Sequence, residues 1–566
     1  MKKITFGTPE QVVPSRYCAT FNYVESPITF DPSQISYKQT NRGVQIEFLL
    51  EPDEQVFGFG LQLHSFNHKG KKVLCRNNSD PIKPTGDTHA PVPFFVTSRG
   101  RGFYFDTARA AEFYCGYPRV LGQAAEGSMA GSTDELYATR IAEGATVMSI
   151  LIPAATGVDL YIMEGETITD VVKQYNMLAG GGCTVPEWGL GMLFRCYFKF
   201  TEDDVMEMAE YFRSARIPCS IIGLEPGWQT KTYSCSYIPS PERFPHFGEM
   251  VQKLRNMDYH INLWEHCFTH PTSPIYNDLL PYAGNFPVWN GLVPDFTLPE
   301  AKKIFADYHR EVLVKLGIDG FKLDECDGSD YTGCWSFPST SSFPGGADGE
   351  QMRQLLGTLY TQAIWQALDG APTVSSVRAM GALAAPYPFV LYSDLYNHKE
   401  FIRGVVNQGF SGILWSPELR DVKSEKELIR RLQTLIFSTQ CLVNAWYCAD
   451  RCPWFAFDCE DKVRELLELR EKLIPMLKSA FDIYHETGKP PIRALVMDWT
   501  DDRETWAIDD EYLFCDTLLV APMTAESDTR RVYIPDGNWV DFYTKEPVAP
   551  GWHDVTTENI PVYERV

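Results

Sequence analysis

The sequence predicts an α/β fold: a (β/α)8 TIM barrel flanked by an N-terminal β-sandwich and a small C-terminal β-sandwich. Eight short apolar runs recur after about residue 186, and helical segments separate most of them. Nearly every run ends on an acid, an arginine or a tryptophan, as barrel strands do at a functional mouth. Before and after this region the rhythm changes to short runs divided by Gly, Pro, Asn and Asp. The domains read as 1–175, 176–484 and 485–566.

In the first domain, Val44-Gln-Ile-Glu-Phe-Leu-Leu50, Gly102-Phe-Tyr-Phe-Asp106 and Val147-Met-Ser-Ile-Leu-Ile152 are strand runs of a sandwich. The barrel strands are expected at 190–194, 220–224, 260–264, 320–323, 373–377, 389–392, 412–415 and 442–446. Thr201-Glu-Asp-Asp204 is a capping-box signature ahead of Val205, Met208, Tyr211 and Phe212, so a helix starts there. Further helices are expected from about 297 to Gly317 and at about 348–369, 398–409, 424–440 and 460–480. A doubly wound sheet is the runner-up, but no Gly-rich phosphate fingerprint follows any strand. Leu513–Pro522, Arg531–Pro535 and Trp539–Tyr543 return to strand character, with another strand expected from Pro561.

With 566 residues, 44% hydrophobic and 22% charged, the chain is a multidomain globular protein. A formal charge of −23 leaves no basic stripe for nucleic acid or an anionic membrane. No apolar run reaches the roughly 18 residues of a membrane span. The two lysines after Met1 precede no apolar stretch, so no signal peptide is expected and the localisation reads as cytoplasmic. The 15 cysteines lack regular spacing, which fits free thiols in a reducing compartment. Cys448, Cys452 and Cys459 have no paired motif or histidine beside them, so no zinc site is expected. Asp324, Asp327 and Asp330 fall three apart with no closing Glu, which excludes a calcium loop. No metal and no cofactor is called for; a homo-oligomer stays open.

The residues after the strands carry the functional reading. Strand one leads to Arg195, two to Glu225 and Trp228, three to Trp264, Glu265 and His266, and four to Asp324. Five leads to Arg378, six to Asp394, seven from Trp415 to Glu418, and eight passes through Asn444. In a barrel these ends converge on one face. An acid-rich, tryptophan-lined hollow without a nucleotide motif, a Ser-His-Asp pattern or a metal set points to glycoside chemistry. That chemistry needs two carboxyl groups about one anomeric carbon. Glu, Asp and Arg hold the hydroxyls, and aromatic rings stack on the sugar. His266 has no strand-end histidine partner, so it reads as a hydrogen-bonded pocket residue. Arg378 and Glu418 also fit a structural ion pair across the mouth, and Glu225 the same kind of network.

These segments, in this order, resemble glycoside hydrolase family 31. Glu54–Gly60 resembles its N-domain loop, Pro91–Val96 the strand after it, and Val185–Gly191 the entry to the barrel. Phe321-Lys-Leu-Asp324 resembles the nucleophile strand and Tyr392-Ser-Asp394 the acid/base segment. Leu467–Pro475 resembles the barrel-closing helix, and Arg493 onward with Asp516–Pro522 the following sandwich. The resemblance implies a retaining exo-α-glycosidase without cofactor, acting on a small carbohydrate. Asp324 is the implied nucleophile and Asp394 the implied acid/base, about 5–5.5 Å apart. Asp394 is expected to keep its proton near neutral pH, and Asp324 to stay ionised near Arg378 or Lys322. Asp327 is the rival nucleophile.

Asp80, in the polar loop Asn77-Asn-Ser-Asp80, joins the substrate-binding set with Glu225, Trp228, Trp264, Glu265, His266, Lys322, Arg378, Trp415, Glu418 and Asn444. Several of these depart from the family's glucosidases. Lys322 stands where they carry Trp and is similar to the α-xylosidase branch and to α-galactosidases. Glu225 and Glu418 replace Asp, and Asn444-Ala445 replaces Asn-His. Glucose is thereby in doubt; a galactoside, a xyloside or a 2-substituted sugar each fit. A sugar-binding protein without catalysis and a transglycosylase are the alternatives.

Overall fold

The computed structural model describes residues 1–79, 81–118, 146–329, 335–448 and 450–566. Two five-stranded antiparallel sheets form the N-terminal sandwich. One runs Lys2–Gly7, Gly157–Glu164, Arg101–Asp106, Pro91–Thr97, Val56–Gly60; the other runs Ser36–Thr40, Gly43–Leu50, Thr146–Pro153, Ala111–Pro118, Lys72–Cys75. Alternation builds the core between them. Val44, Ile46 and Phe48 are buried while Gln45 and Glu47 are less so, and Phe48 stacks on Phe103 at 4.7 Å.

Pro91–Thr97 is buried along its whole length because it serves two cores. Phe95 enters the sandwich, whereas Val92, Phe94 and Val96 face the main core shared with the barrel. Helix Ile168–Leu178 lies in that seam, with Tyr175 stacked on Phe94 at 4.1 Å. It corrects the reading of 1–175 as β throughout. Its start is a capping box between Thr167 and Asp170, a local signal that the sequence carries.

The barrel strands are Met192–Arg195, Ile221–Leu224, His260–Glu265, Gly320–Leu323, Ser375–Val377, Phe389–Leu391, a broken seventh, and Cys441–Asn444, all parallel. The seventh has two halves. Leu414–Trp415 pairs with the sixth strand and Glu418–Leu419 with the eighth, so the sheet closes through one strand interrupted at Ser416-Pro417. Pro417 has no N–H to give a ladder, and Ser416 fills the gap by donating its hydroxyl to the Gln440 carbonyl. The expected seventh strand covered only the first half.

Leu193, Ile221, Tyr392 and Leu442 form an apolar plug inside the barrel. Toward the mouth, Arg195 takes the place a side chain at position 223 would need; a Cβ on Gly223 would lie 2.7 Å from the Arg195 guanidinium. Helices Glu202–Ser214, Pro299–Val312, Gly349–Leu368, His398–Asn407 and Glu425–Ile436 wrap the strands, the first with the expected Thr201–Asp204 capping box. Helix Glu460–Thr487 closes the ring. Its buried Arg470 donates to the carbonyls of Leu190, Ile436, Ser438 and Thr439. A six-stranded and a two-stranded sheet follow, packed on Leu513, Leu519, Val532 and Trp539. Val562–Arg565 is an inner strand of the larger sheet. Among the described residues, no helix is long and apolar enough to cross a membrane, and fourteen cysteines are free thiols.

Candidate active site

The fourth strand delivers Asp324 to the mouth by alternation. Lys322 and Asp324 face the interior, while Leu323 packs outward. Both Asp324 oxygens are held. Trp264 Nε1 donates to Oδ2 at 2.7 Å and the Glu325 N–H to Oδ1 at 2.9 Å. Two donors to one carboxylate fix its orientation.

Arg378, at the end of the fifth strand, ties three acids together. Its Nε donates to Asp327 Oδ2 at 2.8 Å, and its NH1 lies 2.7 Å from Asp394 Oδ2 and 3.9 Å from Asp324 Oδ1. Asp324 Oδ1 and Asp394 Oδ2 are thus no further apart than those last two distances laid end to end, a bound that admits the ~5–5.5 Å of retaining enzymes. Asp327 is 1% exposed and held on Oδ2 by Arg378 and His89, which removes it from the hollow.

Asp394 is not the proton-holding acid expected from the sequence. Partial enclosure works against its charge, but the guanidinium of Arg378, then Lys322 and Arg420, outweigh it and hold the carboxyl well below its usual range. Its side chain is 56% exposed, so the carboxyl stands at the rim within reach of an incoming molecule.

Below the rim is a buried ionic floor. Lys322 Nζ lies 3.2 and 3.3 Å from the two Glu225 oxygens and 4.8 Å above the Tyr392 ring, and Arg195 Nε is 3.2 Å from Glu225. Arg195 also donates to Asn262 Oδ1 at 2.5 Å. Glu418 accepts from Asn444 Nδ2 at 2.8 Å and pairs with Arg420 at 2.9 Å; burial raises its pKa. Arg378 and Glu418 therefore take other partners, and the ion pair considered between them does not form. His266 belongs to an aromatic wall, its ring 5.4 Å from Trp264, 5.2 Å from Trp289 and 5.7 Å from the half-exposed Tyr233. Burial lowers its pKa to about 3, so it is neutral.

Three expected residues turn away from the hollow. Glu265 points outward to the helices, accepting from Tyr360 Oη at 2.6 Å and meeting His309 Nε2 at 3.1 Å. It neighbours Trp264, and strand alternation allows only one of the two to face inward. Trp228 is fully buried against Phe247 and donates to the Trp264 carbonyl. Trp415 is fully buried and donates to the Phe401 carbonyl of the adjacent helix. Asp80 lies outside the described residues, as does Asp330. Among the described residues, no group of three His, Cys, Asp or Glu is placed to hold a metal.

Two further residues belong to the site. His89, from the sandwich, is fully buried between Asp327 and Ser393. Glu325, next to Asp324, has left-handed backbone at φ 55°. Burial first, then the charges of Asp324 and Asp327, push its carboxyl up to about 9. Between about 4.5, where the unfolded side chain ionises, and about 9, the folded chain keeps a proton that the unfolded chain has released. Stability therefore falls as pH rises through that window. Glu325→Gln is expected to remove this slope, so its melting temperature should gain on the wild type between pH 5 and pH 9. Parallel melting profiles would contradict the assignment.

The sequence profile of the family 31 glycosyl hydrolase TIM-barrel domain matches residues 183–480, which is more than half of the chain. The chain belongs to glycoside hydrolase family 31. The profiles of this family's N-terminal galactose mutarotase-like domain and C-terminal domain match residues 19–113 and 488–566. The family is one of retaining α-glycosidases. Among curated relatives, alpha-glucosidase 2 of Bacillus thermoamyloliquefaciens is 25% identical, the alignment covering 91% of this chain and 67% of the relative. The alpha-xylosidase of Emericella nidulans is 22% identical over 86% of this chain and 62% of its own. An isomaltosyltransferase of Sporosarcina globispora is 22% identical over 88% and 49%. The family 31 chain thus spans about half to two thirds of the length of these three relatives. Of solved structures, a family 31 alpha-xylosidase from a soil metagenome, complexed with xylose, superposes with a TM-score of 0.76 at 21% identity, covering 95% of this chain and 82% of that one. The dextranase of Flavobacterium johnsoniae, complexed with glucose, gives 0.79 at 22%, covering 94% and 67%.

Proposed function

We propose that this chain is a retaining exo-α-glycosidase that acts on a terminal α-linked sugar through a covalent glycosyl-enzyme. The observation that carries the reading is the single Arg378 nitrogen shared by Asp394 and Asp324. Asp324, oriented by Trp264 and Glu325, attacks the anomeric carbon. Asp394 at the rim protonates the leaving oxygen, then takes a proton from the incoming water.

The charges suit the second role directly. Forming the ester removes the Asp324 charge, which leaves Arg378 to hold Asp394 as an anion and hence as a base. For the first role, a sugar seated over the rim shields Asp394 from water and favours its protonated form.

The terminal sugar is one other than glucose in this reading. A cationic floor of Lys322 and Arg195 engages Glu225, and Ala445 offers no polar group to a hydroxyl. Galactoside, xyloside and 2-substituted pockets are all compatible with that floor. Transfer to a second sugar is a further reading, favoured by one feature of the mouth. Tyr447, 66% exposed, stacks on Phe198 at 5.8 Å and an interplanar angle of 12°, a platform suited to an acceptor ring.

A panel of nitrophenyl α-glycosides of glucose, galactose, xylose and N-acetylgalactosamine tests both levels. Release from a non-glucose member, with the α-anomer appearing first by NMR, is expected. No release from any member, or a β-anomer as first product, would overturn the proposal.

A further inference from the structure

We infer that His89, supplied by the N-terminal sandwich, is a positioning residue that sets the placement of the acid/base carboxyl. The inference rests on the reading of Asp394 above. His89 is a sandwich side chain that bridges the loops after the fourth and sixth strands. Its Nδ1 is 3.2 Å from Asp327 Oδ2 and its Nε2 2.7 Å from Ser393 Oγ. Both contacts lead to Asp394. Asp327 holds Arg378 by Nε, and the far side of that guanidinium meets Asp394. Ser393 precedes Asp394, and its Oγ accepts the N–H of Leu395, which follows it, at 3.1 Å.

The Asp327 side of the bridge has one polarity: a carboxylate oxygen accepts, so Nδ1–H donates to Asp327. Nε2 and the Ser393 hydroxyl share a hydrogen, and the Ser393 oxygen keeps a lone pair for the Leu395 N–H. One imidazole thereby sets the rotation of Arg378 from one side and the backbone around Asp394 from the other.

The ring is itself rigidly placed. Thr88 N–H donates to the Arg76 carbonyl and Leu61 N–H to the Ala90 carbonyl, so the residues on both sides of His89 are tied into the sandwich. Docking of that domain does not depend on His89. Asn77 N–H donates to Gln354, Gly60 N–H to Ser411 Oγ, and Asn407 Nδ2 to the Gln62 carbonyl. A change at His89 thus separates positioning from domain assembly.

The test uses the full chain and a series of aryl and alkyl α-glycosides of the sugar the wild type cleaves. Leaving groups of low basicity depart without a proton, whereas alkoxides need a well-placed acid. His89→Phe keeps the ring and removes both hydrogen bonds. It is expected to lower kcat/KM by about 10²-fold on alkyl glycosides, the scale of a 1 Å misplacement, with little change in kcat/KM on nitrophenyl glycosides, whose departure needs no proton. Ser393→Ala should show the same dependence on leaving group, and His89→Asn, whose amide can still donate to Asp327, a weaker one. Should His89→Phe fail to fold, the other two variants carry the test. An equal loss across all leaving groups, or none, would overturn the inference while leaving the glycosidase reading intact. A wild type that cleaves no α-glycoside would instead remove that reading.

Discussion

Asp324→Ala is expected to reduce kcat/KM on every α-glycoside by about 10⁴-fold or more, the order lost when a covalent enzyme is deprived of its nucleophile. The fold should survive. Trp264 and Glu325 each lose one hydrogen bond, and the remaining Arg378 contacts run to Asp327 and Asp394. The variant also leaves a space beside the anomeric carbon where the carboxylate stood. Azide entering it attacks from the same face as the lost nucleophile. An α-glycoside with a good leaving group should then yield a β-glycosyl azide. An Asp324→Ala protein that turns over near the wild-type rate would transfer the nucleophile role elsewhere.

Asp394→Ala should behave in a complementary way. On alkyl glycosides the loss is expected at about 10²–10⁴-fold, the usual worth of a placed acid or base. Nitrophenyl substrates need no proton on departure, so their first step persists and the glycosyl-enzyme accumulates because no base activates water. Azide needs no base. It should restore turnover by attacking the ester from the face opposite Asp324, which gives the α-glycosyl azide. The two variants therefore distinguish the two carboxylates by product stereochemistry. Identical azide anomers from both would contradict the roles assigned here.

The barrel was legible because its signals are local. Eight apolar runs, capping residues such as Thr201 and the polar residue after each run are written in windows of a few positions. Asp324, Asp394, Arg378, Glu225 and Glu418 came from that pattern and Lys322 from the family resemblance, and the fold gathers them at one mouth. Where the expectation failed, it had ignored strand parity. Trp264 and Glu265 were both placed in the hollow, although adjacent strand residues point to opposite sides. Trp228 and Trp415 were placed there for their ring chemistry, yet large apolar rings near a helix layer find more buried surface by packing outward.

No local signal could have found His89. It meets Asp327 from 238 positions away, on a different domain, and a lone histidine between Thr88 and Ala90 looks like any loop residue. Nor could spacing reveal the proton balance. Asp394 and Glu325 are ordinary carboxyls in the sequence; in the fold, burial and then two neighbouring acids raise the proton affinity of Glu325, while Arg378 lowers that of Asp394.

By itself, then, the chain order of apolar runs and polar ends determined a barrel between two β domains and nominated the acids that line it. The tertiary structure decided which faces those side chains took, how the seventh strand closes the ring, and which residue of the sandwich reaches the catalytic loops. The reason is range: periodicity and capping act over a few residues, whereas proton affinity and side-chain placement depend on neighbours that only folding brings within a few ångströms.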